Sequence, residues 1–537
     1  MRLKVFVSCE AKNKKFSDEG NTPKTTQFFP LAAFAGKPKR FFFIFFGLIC
    51  LVDFNHHAFC RDLIQKRAIV HVASTISDGK YTLGEIARLA KKEGIAVVIF
   101  TDRDLMRWEY GAWPWRNIIK KTIENNSIFR YGINNYLRDI NNLRRKFPEM
   151  IFIPGTESAP FYYWRGSPVK SDLAICNWHK HILTVGLENP RDYEKLPVIG
   201  NRAGLRGGIN LTGIALTLLL LLSGIILFGK RQYSYKDQWG RQLGPPSRIS
   251  RAAGVFFIVA AAFSIGNGIF YREKFNQYQY DLGSIPYQNF INYVNERGGL
   301  TFWAHPEAEN ISEVAGISIE TKEYARHLLD TRDYTGFTVF YEGYNKVGKP
   351  GGVWDELLRQ YCRSLRRQPV WAIGGLAFDI GGNLTERIKG LQTVVLLPSF
   401  KKDDVLNALK EGRMYVAGGS NSLNFSLDDF SVYDSPTKEK AISGQTLHLN
   451  SPADVRIAGS FSGKSLSAGI DIIKAGRVIK TYKADTPFNL DFTDNESWPG
   501  GGKSYYRVQI RAEGLLLITN PIFVTTEANE GRRKREE

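Results

Sequence analysis

The chain has 537 residues and a formal net charge of +19, with 43% hydrophobic, 13% aromatic and 23% charged residues. This length exceeds what one hydrophobic core usually organises, so we expect two or more folded units. The ordinary apolar content, with only 50 glycines and 22 prolines, excludes disordered, low-complexity and collagen-like chains.

The positive charge is concentrated beside apolar segments. Residues 1–40 hold nine Lys or Arg against three Asp or Glu, and residues 229–251 hold six against Asp237 alone. Basic clusters next to apolar runs are typical of membrane orientation signals. The sequence has no nucleic-acid-binding motif to account for them, so we expect no nucleic-acid partner.

The first predicted element is an export leader within residues 1–60. Lys37, Lys39 and Arg40 precede the apolar run FFFIFFGLICLV at 41–52, a pattern typical of a signal peptide. No small-residue cleavage site is evident, so the alternatives are a signal peptide, an uncleaved signal anchor and a start codon placed too early. In each case the folded mass is predicted to be exported.

Residues 66–206 and 280–420 alternate short apolar strands with helices. The strands are predicted at 67–72, 95–100, 150–153, 182–186, 300–304, 336–340, 370–373 and 392–396. The helices are predicted at 82–93, 115–146, 287–297, 352–366 and 402–411. This alternation is typical of a parallel α/β protein, either a barrel or a wound sheet.

Two uncharged runs interrupt this alternation. Residues 207–229 and 252–271 each reach the roughly 20 residues that cross a hydrocarbon core of about 30 Å as a helix. A buried helix is the alternative interpretation of the second run. We predict a transmembrane hairpin over 207–271 with a cytoplasmic basic loop, which places the flanking parts on the periplasmic or extracytoplasmic side of the membrane.

The pattern changes after residue 420. Residues 421–526 contain period-two apolar segments such as VRIAGSF and SYYRVQI, with turn residues between them at 475–477 and 513–514. This pattern predicts a C-terminal antiparallel β-sandwich. Residues 527–537, which end in GRRKREE, are predicted to be a disordered tail.

Polar side chains follow the ends of the predicted barrel strands. They are His71 and Asp78, Asp102, Arg103 and Asp104, Glu157, His181, His305, and Asp379. The carboxyl ends of parallel barrel strands meet at one mouth, and imidazole and carboxylate groups are ligands of first-row metals. Each residue alone has a simpler explanation, such as a helix cap or a turn. Together they predict a shared metal site.

The segment HVASTISDGKYTLGEIARLAKKEGIAVVIFTDRD at 71–104 resembles the opening of the PHP (polymerase and histidinol phosphatase) superfamily. The motifs of that family are H-x-H with S-D-G, then T-D-H, P-G-x-E, a His that leads a strand, A-H-P, and D-x-H. The matching segments here are His71-Val72-Ala73 with Ser77-Asp78-Gly79, Thr101-Asp102-Arg103, Pro154-Gly155-Thr156-Glu157, His181, Ala304-His305-Pro306, and Asp379-Ile380-Gly381. The resemblance covers about residues 66–420 without the hairpin. The segment GRMYVA at 412–417 and the final strands SYYRVQI and ITNPIFV are similar to those of membrane-associated or secreted PHP proteins that carry a C-terminal β-domain.

The resemblance implies a distorted seven-stranded (β/α) barrel that holds up to three divalent ions such as Mn, Fe or Zn. One ion position corresponds to Glu157, His181 and His305, and another to His71, Ala73, Glu157 and Asp379. The third corresponds to Asp78, Arg103 and Gly381. Because Ala73, Arg103 and Gly381 depart from the family's histidines, the third ion should be lost and one or two should remain.

Arg103 is interpreted as a replacement for the missing ion. Its guanidinium would pair with Asp78 and bind phosphate oxygens in a bidentate manner. The residues predicted to be catalytic are Glu157, Arg103 and Asp102. An eroded site, in which Arg103 has no such role, is the alternative interpretation.

The leader and the apolar runs, together with the resemblance, predict a membrane-tethered, exported metal-dependent hydrolase, most simply a phosphoesterase that acts on a small-molecule phosphate ester. The alternative from another class is an inactive PHP scaffold that binds a ligand or partner at the membrane surface. An amidohydrolase, which also begins with H-x-H in a barrel, ranks lower because the T-D-x-D and P-G-x-E segments fit the PHP pattern better. Transport ranks lowest, because the apolar runs contain no charge that would form an ion pathway.

Overall fold

The computed structural model of the chain describes residues 63–235, 241–314, 316–378, 382–496 and 501–526. The predicted leader at 1–60, the predicted tail at 527–537, and Asp379 with Gly381 lie outside the described residues. Within these ranges the protein is a mixed α/β structure built on one large sheet.

The part of the chain before the apolar helices alternates strands and helices. Its elements are β1 (Ile64–Val72), α1 (Leu83–Lys92), β2 (Val97–Phe100), β3 (Arg107–Gly111), β4 (Lys120–Glu124), α2 (Ile128–Tyr131), α3 (Ile133–Lys146), β5 (Ile151–Ile153), β6 (Gly155–Ser158), β7 (Tyr163–Arg165), β8 (Ala174–Cys176), β9 (Ile182–Val185) and α4 (Pro190–Glu194). Helix α1 shows why the sequence folds this way: Thr82 and Glu85 form a reciprocal capping box at its start. Its apolar residues recur at helical spacing and are buried against the core.

The apolar segment forms two helices that leave and re-enter the fold at adjacent points. Its elements are β10 (Arg206–Ile209), α5 (Leu211–Gly229), β11 (Arg231–Tyr235), β12 (Arg241–Pro246), α6 (Arg248–Gly266) and β13 (Tyr271–Glu273). Strands β10 and β13 pair antiparallel, and the amide of Asn210 donates to the carbonyl of Phe270 at 3.0 Å. The first predicted run begins as a strand because of this pairing, so α5 starts at Leu211 rather than at residue 207.

Helices α5 and α6 have 19 residues each and are long and apolar enough to cross a membrane. They pack closely at two glycines: a Cβ atom on Gly254 would lie 2.6 Å from the amide nitrogen of Phe228, and one on Gly224 would lie 2.7 Å from Ile258. Small residues that let two helices approach in this way are typical of helix pairs in membranes.

The part after the apolar helices returns to alternation. Its elements are α7 (Ile285–Asn295), β14 (Leu300–Trp303), β15 (Asn310–Val314), β16 (Ile317–Thr321), α8 (His327–Asp330), β17 (Gly336–Phe340), a π-helical turn (Tyr344–Gly348), α9 (Val353–Cys362), β18 (Trp371–Phe378), α10 (Leu384–Gly390), β19 (Leu391–Leu397), α11 (Lys402–Glu411) and β20 (Met414–Gly418). The remaining elements are strands: β21 (Phe425–Asp434), β22 (Glu439–Ile442), β23 (Thr446–His448), β24 (Ala453–Phe461), β25 (Ser467–Lys474), β26 (Arg477–Asp485), β27 (Phe488–Asp494), β28 (Gly502–Ala512), β29 (Leu515–Thr519) and β30 (Ile522–Thr526).

The strands that carry the candidate site pair in the order β5–β2–β1–β18–β17–β14–β9–β6. The pairings from β5 to β14 are parallel, as the alternation predicts, whereas β9 runs antiparallel to both β14 and β6. Strands β5 and β6 are separated only by Pro154, and they pair with different neighbours, β2 and β9. Gly155 allows this switch because a Cβ atom there would lie 2.4 Å from the carbonyl oxygen of Thr184 and 2.8 Å from that of Phe100.

Two further predicted elements differ from the structure. The segment predicted as a helix at 115–146 is helical only over α2 and α3, because its first part forms strand β4. Strand β4 pairs with β3, and Trp108 of β3 packs on Trp178 with ring centroids 5.4 Å apart. The strand predicted at 392–396 is present as part of β19 but runs antiparallel to β1. Tertiary packing in both places outweighs what the local pattern predicts.

The strands after β20 form two layers with a common apolar core. One layer is the sheet β22–β21–β24–β27, and the other contains β23, β25, β26, β28, β29 and β30. The second layer is not a separate sheet, because β20 pairs with β19 on one side and with β29 on the other. The α/β part and the C-terminal layers therefore share one hydrogen-bonded sheet of 16 strands.

Asp434 at the end of β21 holds the neighbouring chain segments together. Its buried carboxylate accepts hydrogen bonds from Asn450, Ser451 and Thr437. Burial raises the pKa of this carboxyl, but the hydrogen bonds outweigh it and lower the pKa to about 2. The carboxylate therefore stabilises the fold above the unfolded-state pKa of about 4, and this stabilisation is lost as the pH falls towards 2.

We expect Asp434→Asn to lower the free energy of unfolding by about 2 kcal/mol at pH 7, and by less as the pH falls towards 2. Denaturant unfolding of the detergent-solubilised chain at several pH values measures this difference. Asp428→Asn on the exposed face of the same strand is the control. A difference that does not change with pH would contradict the assignment to the ionised carboxylate.

Candidate metal centre

Three imidazoles converge on one carboxylate oxygen of the buried Glu157. Oε1 of Glu157 lies 2.6 Å from Nδ1 of His181, 3.2 Å from Nε2 of His71 and 3.4 Å from Nε2 of His305. Glu157 is on β6 and His181 immediately precedes β9, the strand paired with β6. His305 lies two residues after β14, and His71 is near the end of β1. The four side chains therefore come from four different strands at one end of the sheet.

His71 is directed towards Glu157 by an irregularity in β1. The register of β1 shifts between Val70 and Val72 against both β2 and β18, and His71 itself has φ of 63°. A bulge of this kind re-aims one side chain, and left-handed backbone at a bulky residue is strained. Nδ1 of His71 is buried and has no hydrogen-bond partner among the residues that the structure describes.

His305 is held in one tautomer by Tyr324. The hydroxyl of Tyr324 donates its only proton to a carbonyl, most closely that of Ala304 at 2.5 Å, so it can only accept from Nδ1 of His305 at 3.0 Å. Nδ1 therefore carries the ring proton, and the lone pair on Nε2 faces Glu157 and His181. The backbone amide of His305 donates to the hydroxyl of Thr338 at 2.8 Å and fixes the turn after β14.

His181 is held in its tautomer by Arg103. Nη1 of Arg103 lies 2.8 Å from Nε2 of His181, and a guanidinium only donates, so Nε2 accepts. Nδ1 then carries the proton and donates it to Glu157 at 2.6 Å. Burial holds the pKa of His181 well below its usual range, which keeps the ring neutral.

Arg103 lies among acidic and imidazole groups. Its Nε donates to Oδ2 of Asp78 at 2.7 Å, and its Nη2 is 3.7 Å from Oε2 of Glu157. Burial raises the pKa of Glu157, but the guanidinium of Arg103 and the hydrogen bond from His181 outweigh it, so the pKa lies well below its usual range. Glu157 is therefore ionised at neutral pH.

Asp102 binds the turn next to the site through its carboxylate. Its carboxylate accepts from the amide of Ser74 at 2.7 Å and from the hydroxyls of Ser74 and Ser77 at 2.8–3.0 Å. These hydrogen bonds anchor the turn that carries Asp78. The same turn requires glycine at position 79, because a Cβ atom there would lie 2.2 Å from the carbonyl oxygen of Ala73. Burial raises the pKa of Asp102 to about 6.

The donor set fits a metal ion. The ligand atoms of His71, Glu157 and His305 all lie within 4.8 Å of one another. Ligands of one tetrahedral ion at about 2.0–2.2 Å lie about 3.3 Å apart, which is close to the 3.2 and 3.4 Å between Glu157 and the two imidazoles. Nε2 of His305 carries a lone pair in this tautomer and lies 3.4 Å from Oε1 of Glu157, and Nδ1 of His71 is buried without a hydrogen-bond partner among the described residues.

Five residues predicted from the sequence thus lie together with Arg103: His71, Asp78, Glu157, His181 and His305. Asp102 lies beside the group as a support, and Asp379 lies outside the described residues. Sequence reasoning missed Tyr324, and it predicted Asp104 only as one of the polar residues that follow strand ends. Asp104 accepts from the hydroxyl of Ser158, next to Glu157, at 2.7 Å, and burial raises its pKa to about 7.

We expect Tyr324→Phe to weaken metal binding about tenfold, because the ring of His305 loses the acceptor that fixes its tautomer. Titration calorimetry with Mn²⁺ or Zn²⁺ measures the change. Tyr334→Phe is the matched control, since the buried hydroxyl of Tyr334 also donates to a carbonyl but lies away from the site. Equal affinities in the two variants would show that Tyr324 does not act through His305.

Comparisons with known proteins give structural likenesses only. No protein-family model matches the chain, and no curated protein matches it. Among solved structures, the chain is similar to a two-domain protein containing a predicted PHP-like metal-dependent phosphoesterase from Bacteroides vulgatus ATCC 8482, with 11% identity, coverage of 83% of this chain and 91% of that chain, and a TM-score of 0.32. It is also similar to a protein of Bifidobacterium adolescentis ATCC 15703 that is proposed to be a metal-dependent phosphoesterase. The identity is 14%, the match covers 60% of this chain and 94% of that chain, and the TM-score is 0.23.

A third similar structure is an amidohydrolase from Chromobacterium violaceum with bound sulfate and no metal. Its identity is 14%, the match covers 59% of this chain and 88% of that chain, and the TM-score is 0.25.

Proposed function

We propose that the protein is a metal-dependent hydrolase of PHP type, most specifically a phosphoesterase with a reduced metal site. The observation that carries the proposal is the convergence of His71, His181 and His305 on one oxygen of the ionised, buried Glu157 at 2.6–3.4 Å. A buried carboxylate with several imidazoles around it is a typical set of ligands for Mn, Fe or Zn.

The proposed fold around this site is a seven-stranded barrel. The stretch β5–β6 pairs with β2 at its start and with β9 at its end, so the same piece of chain contacts both ends of the row of strands. Arg103, three residues after the end of β2, also forms an isolated parallel bridge with Glu157 of β6. The contact between the β2 segment and the β5–β6 stretch therefore extends beyond β5. These pairings support a closed ring formed by β1, β2, β5–β6, β9, β14, β17 and β18.

Within this site we assign one ion to His71, Glu157 and His305. When bound, such an ion supplies Lewis acidity to activate water and to polarise a phosphoryl oxygen. His181 donates its Nδ1 proton to Glu157 in the tautomer that Arg103 imposes, and it therefore orients the carboxylate instead of acting as a ligand. This assignment narrows the one or two ions expected from the sequence to one.

Arg103 takes the part of a fixed cation in this proposal. Its side chain remains 14% exposed, so Arg103 is not completely enclosed by the residues around it. A planar guanidinium binds two phosphate oxygens at once and stabilises negative charge on the transferred group. Asp78, bonded to Nε of Arg103, keeps the guanidinium in its plane.

The proposed location is an extracytoplasmic membrane surface. Helices α5 and α6 supply the tether, and the basic residues that join them, including Lys230, Arg231 and Arg248, support a cytoplasmic position for the connecting segment. A small phosphate ester is the proposed substrate, because the site combines one ion with one guanidinium.

An inactive scaffold is the second candidate. The observation that favours it is the presence of Ala73, Arg103 and Gly381 where the family resemblance places histidines. Elemental analysis of the purified full chain distinguishes the two: the hydrolase is expected to retain one Mn, Fe or Zn ion per chain. A chain with no bound metal and no uptake on titration would be a scaffold.

A hydrolysis screen with chromogenic phosphate monoesters and diesters tests the activity. The full chain in detergent is expected to hydrolyse at least one class after metal loading, and Glu157→Ala is expected to remove the activity. Activity that survives Glu157→Ala would show that another site is responsible.

A further inference from the structure

The eight residues that join β3 and β4 form an exposed apolar loop. This loop, residues 112–119, has the sequence AWPWRNII. Trp113 is 80% exposed, Ile119 is 49% exposed and Ile118 is 39% exposed. Three large apolar side chains on one short loop are unfavourable in water, and such a patch marks a surface that contacts something apolar.

The loop is attached to the end of α6. The amide of Asn117 donates to Oδ1 of Asn267 at 2.8 Å, and its side chain donates to the carbonyl of Asn267 at 2.7 Å. Trp115 packs on Phe263 of α6 with ring centroids 5.2 Å apart. Asn267 is the residue that ends α6, so the loop is fixed beside the point where this apolar helix meets the α/β part.

Aromatic and basic side chains surround the same end of the helix pair. The guanidinium carbon of Arg206 lies 3.4 Å from the ring centroid of Tyr271, on the paired strands β10 and β13. Arg272 donates to Asn210 and Thr212 at the start of α5. Tryptophan, tyrosine and arginine at the end of an apolar helix are typical of the layer between hydrocarbon and water, where lipid headgroups lie.

The exposed loop is continuous with the exposed apolar faces of α5 and α6. Side chains such as Leu218 on α5 and Phe256 on α6 are more than half exposed, and they belong to the helices whose ends carry the loop and the aromatic residues. A bilayer that surrounds the helices therefore meets Trp113 and Ile119 at its surface.

We propose that the loop 112–119 is a second membrane contact, which inserts Trp113, Ile118 and Ile119 into the headgroup region of a lipid bilayer. The inference rests on the membrane tether proposed above and adds to it.

Fluorescence of a labelled full chain in vesicles of phosphatidylcholine and phosphatidylglycerol tests the inference. Trp113→Cys is introduced into a chain whose native cysteines are replaced by alanine, and it is labelled with the environment-sensitive dye NBD. Leu365→Cys is the matched control: Leu365 is 62% exposed and lies between α9 and β18, at the amino ends of the parallel strands.

At position 113 we expect the emission to shift to shorter wavelength and to rise roughly twofold on reconstitution, relative to position 365. Lipids that carry a nitroxide on the headgroup are expected to quench this emission. Emission at 113 that matches the emission at 365 overturns the inference. Emission that shifts but is not quenched by the labelled lipid indicates a protein partner and also overturns it.

Flotation of the same vesicles in a density gradient separates this inference from the tether on which it rests. A chain that does not float contradicts the tether and the inference together, whereas a floating chain with an aqueous label at 113 contradicts the loop alone. Where the cysteine-replaced chain does not fold, bromine-labelled lipids quench the intrinsic tryptophan fluorescence instead. The wild-type chain is expected to lose more emission than Trp113→Phe, and equal losses overturn the inference.

Discussion

Glutamine in place of Glu157 is expected to weaken metal binding at least about 100-fold and to reduce hydrolysis in proportion. The substitution keeps the size of the side chain, and its amide oxygen still accepts from Nδ1 of His181. It removes the negative charge that three imidazoles and Arg103 surround, so a cation loses its only anionic ligand among the three assigned residues. Equilibrium dialysis against Mn²⁺ or Zn²⁺ and turnover of a chromogenic phosphate ester measure the two effects.

Glu320→Gln is the matched control for this variant. Glu320 is a partly exposed carboxylate that pairs with Arg165, away from the site, and its loss should leave metal content and turnover unchanged. A Glu157→Gln chain that retains stoichiometric metal with wild-type affinity would refute the assignment of Glu157 as a ligand.

Alanine in place of Arg103 is expected to weaken the binding of inorganic phosphate about 30-fold, which is the loss of one charge-assisted, bidentate contact. The variant is also expected to be about 3 kcal/mol less stable, because Asp78 and Glu157 lose the guanidinium in a largely buried position. Inhibition by phosphate measures the affinity, and thermal unfolding measures the stability. Arg103→Lys keeps the charge without the planar fork and should recover stability more than affinity.

Arg107→Ala separates these effects from a general loss of positive charge. Arg107 lies on β3 and pairs with Glu109, so its removal should change phosphate affinity little. Phosphate affinity in Arg103→Ala equal to that of the wild type, in a preparation that still binds metal, would contradict the role of Arg103 as a substrate clamp.

Much of the site could be predicted from the sequence because its residues sit where apolar strands end. Glu157, His181 and His305 each lie within, immediately before or just after a buried strand. Because β9 runs antiparallel to β6 and β14, the start of β9 lies beside the ends of those two strands. The local backbone could not be predicted in this way. His71 and His305 have φ of 63° and 28°, conformations that the surrounding strands impose and that no local pattern in the sequence indicates.

The features that the sequence does not predict depend on contacts between segments that are distant along the chain. Tyr324 reaches His305 from 19 positions further along the chain, and no motif marks it. The strand β4 was assigned to a helix because its local sequence does not show that it pairs with β3. The sequence predicts the strands of the C-terminal layers. It does not predict the pairing of β20 with β29, because this pairing joins segments about 100 residues apart and neither segment has a local pattern that indicates its partner.

The pairing of β10 with β13 has a practical consequence for handling this protein. Since Asn210 and Phe270 are already joined by a backbone hydrogen bond, the 59 residues between them can in principle be excised and the two ends connected by a tight turn. Strands β9 and β14, which flank the insertion, contact each other directly along four residue pairs and do not depend on the excised segment for their register. We therefore expect a chain that lacks residues 211–269, and whose exposed apolar loop 112–119 is made polar, to fold without the two apolar helices.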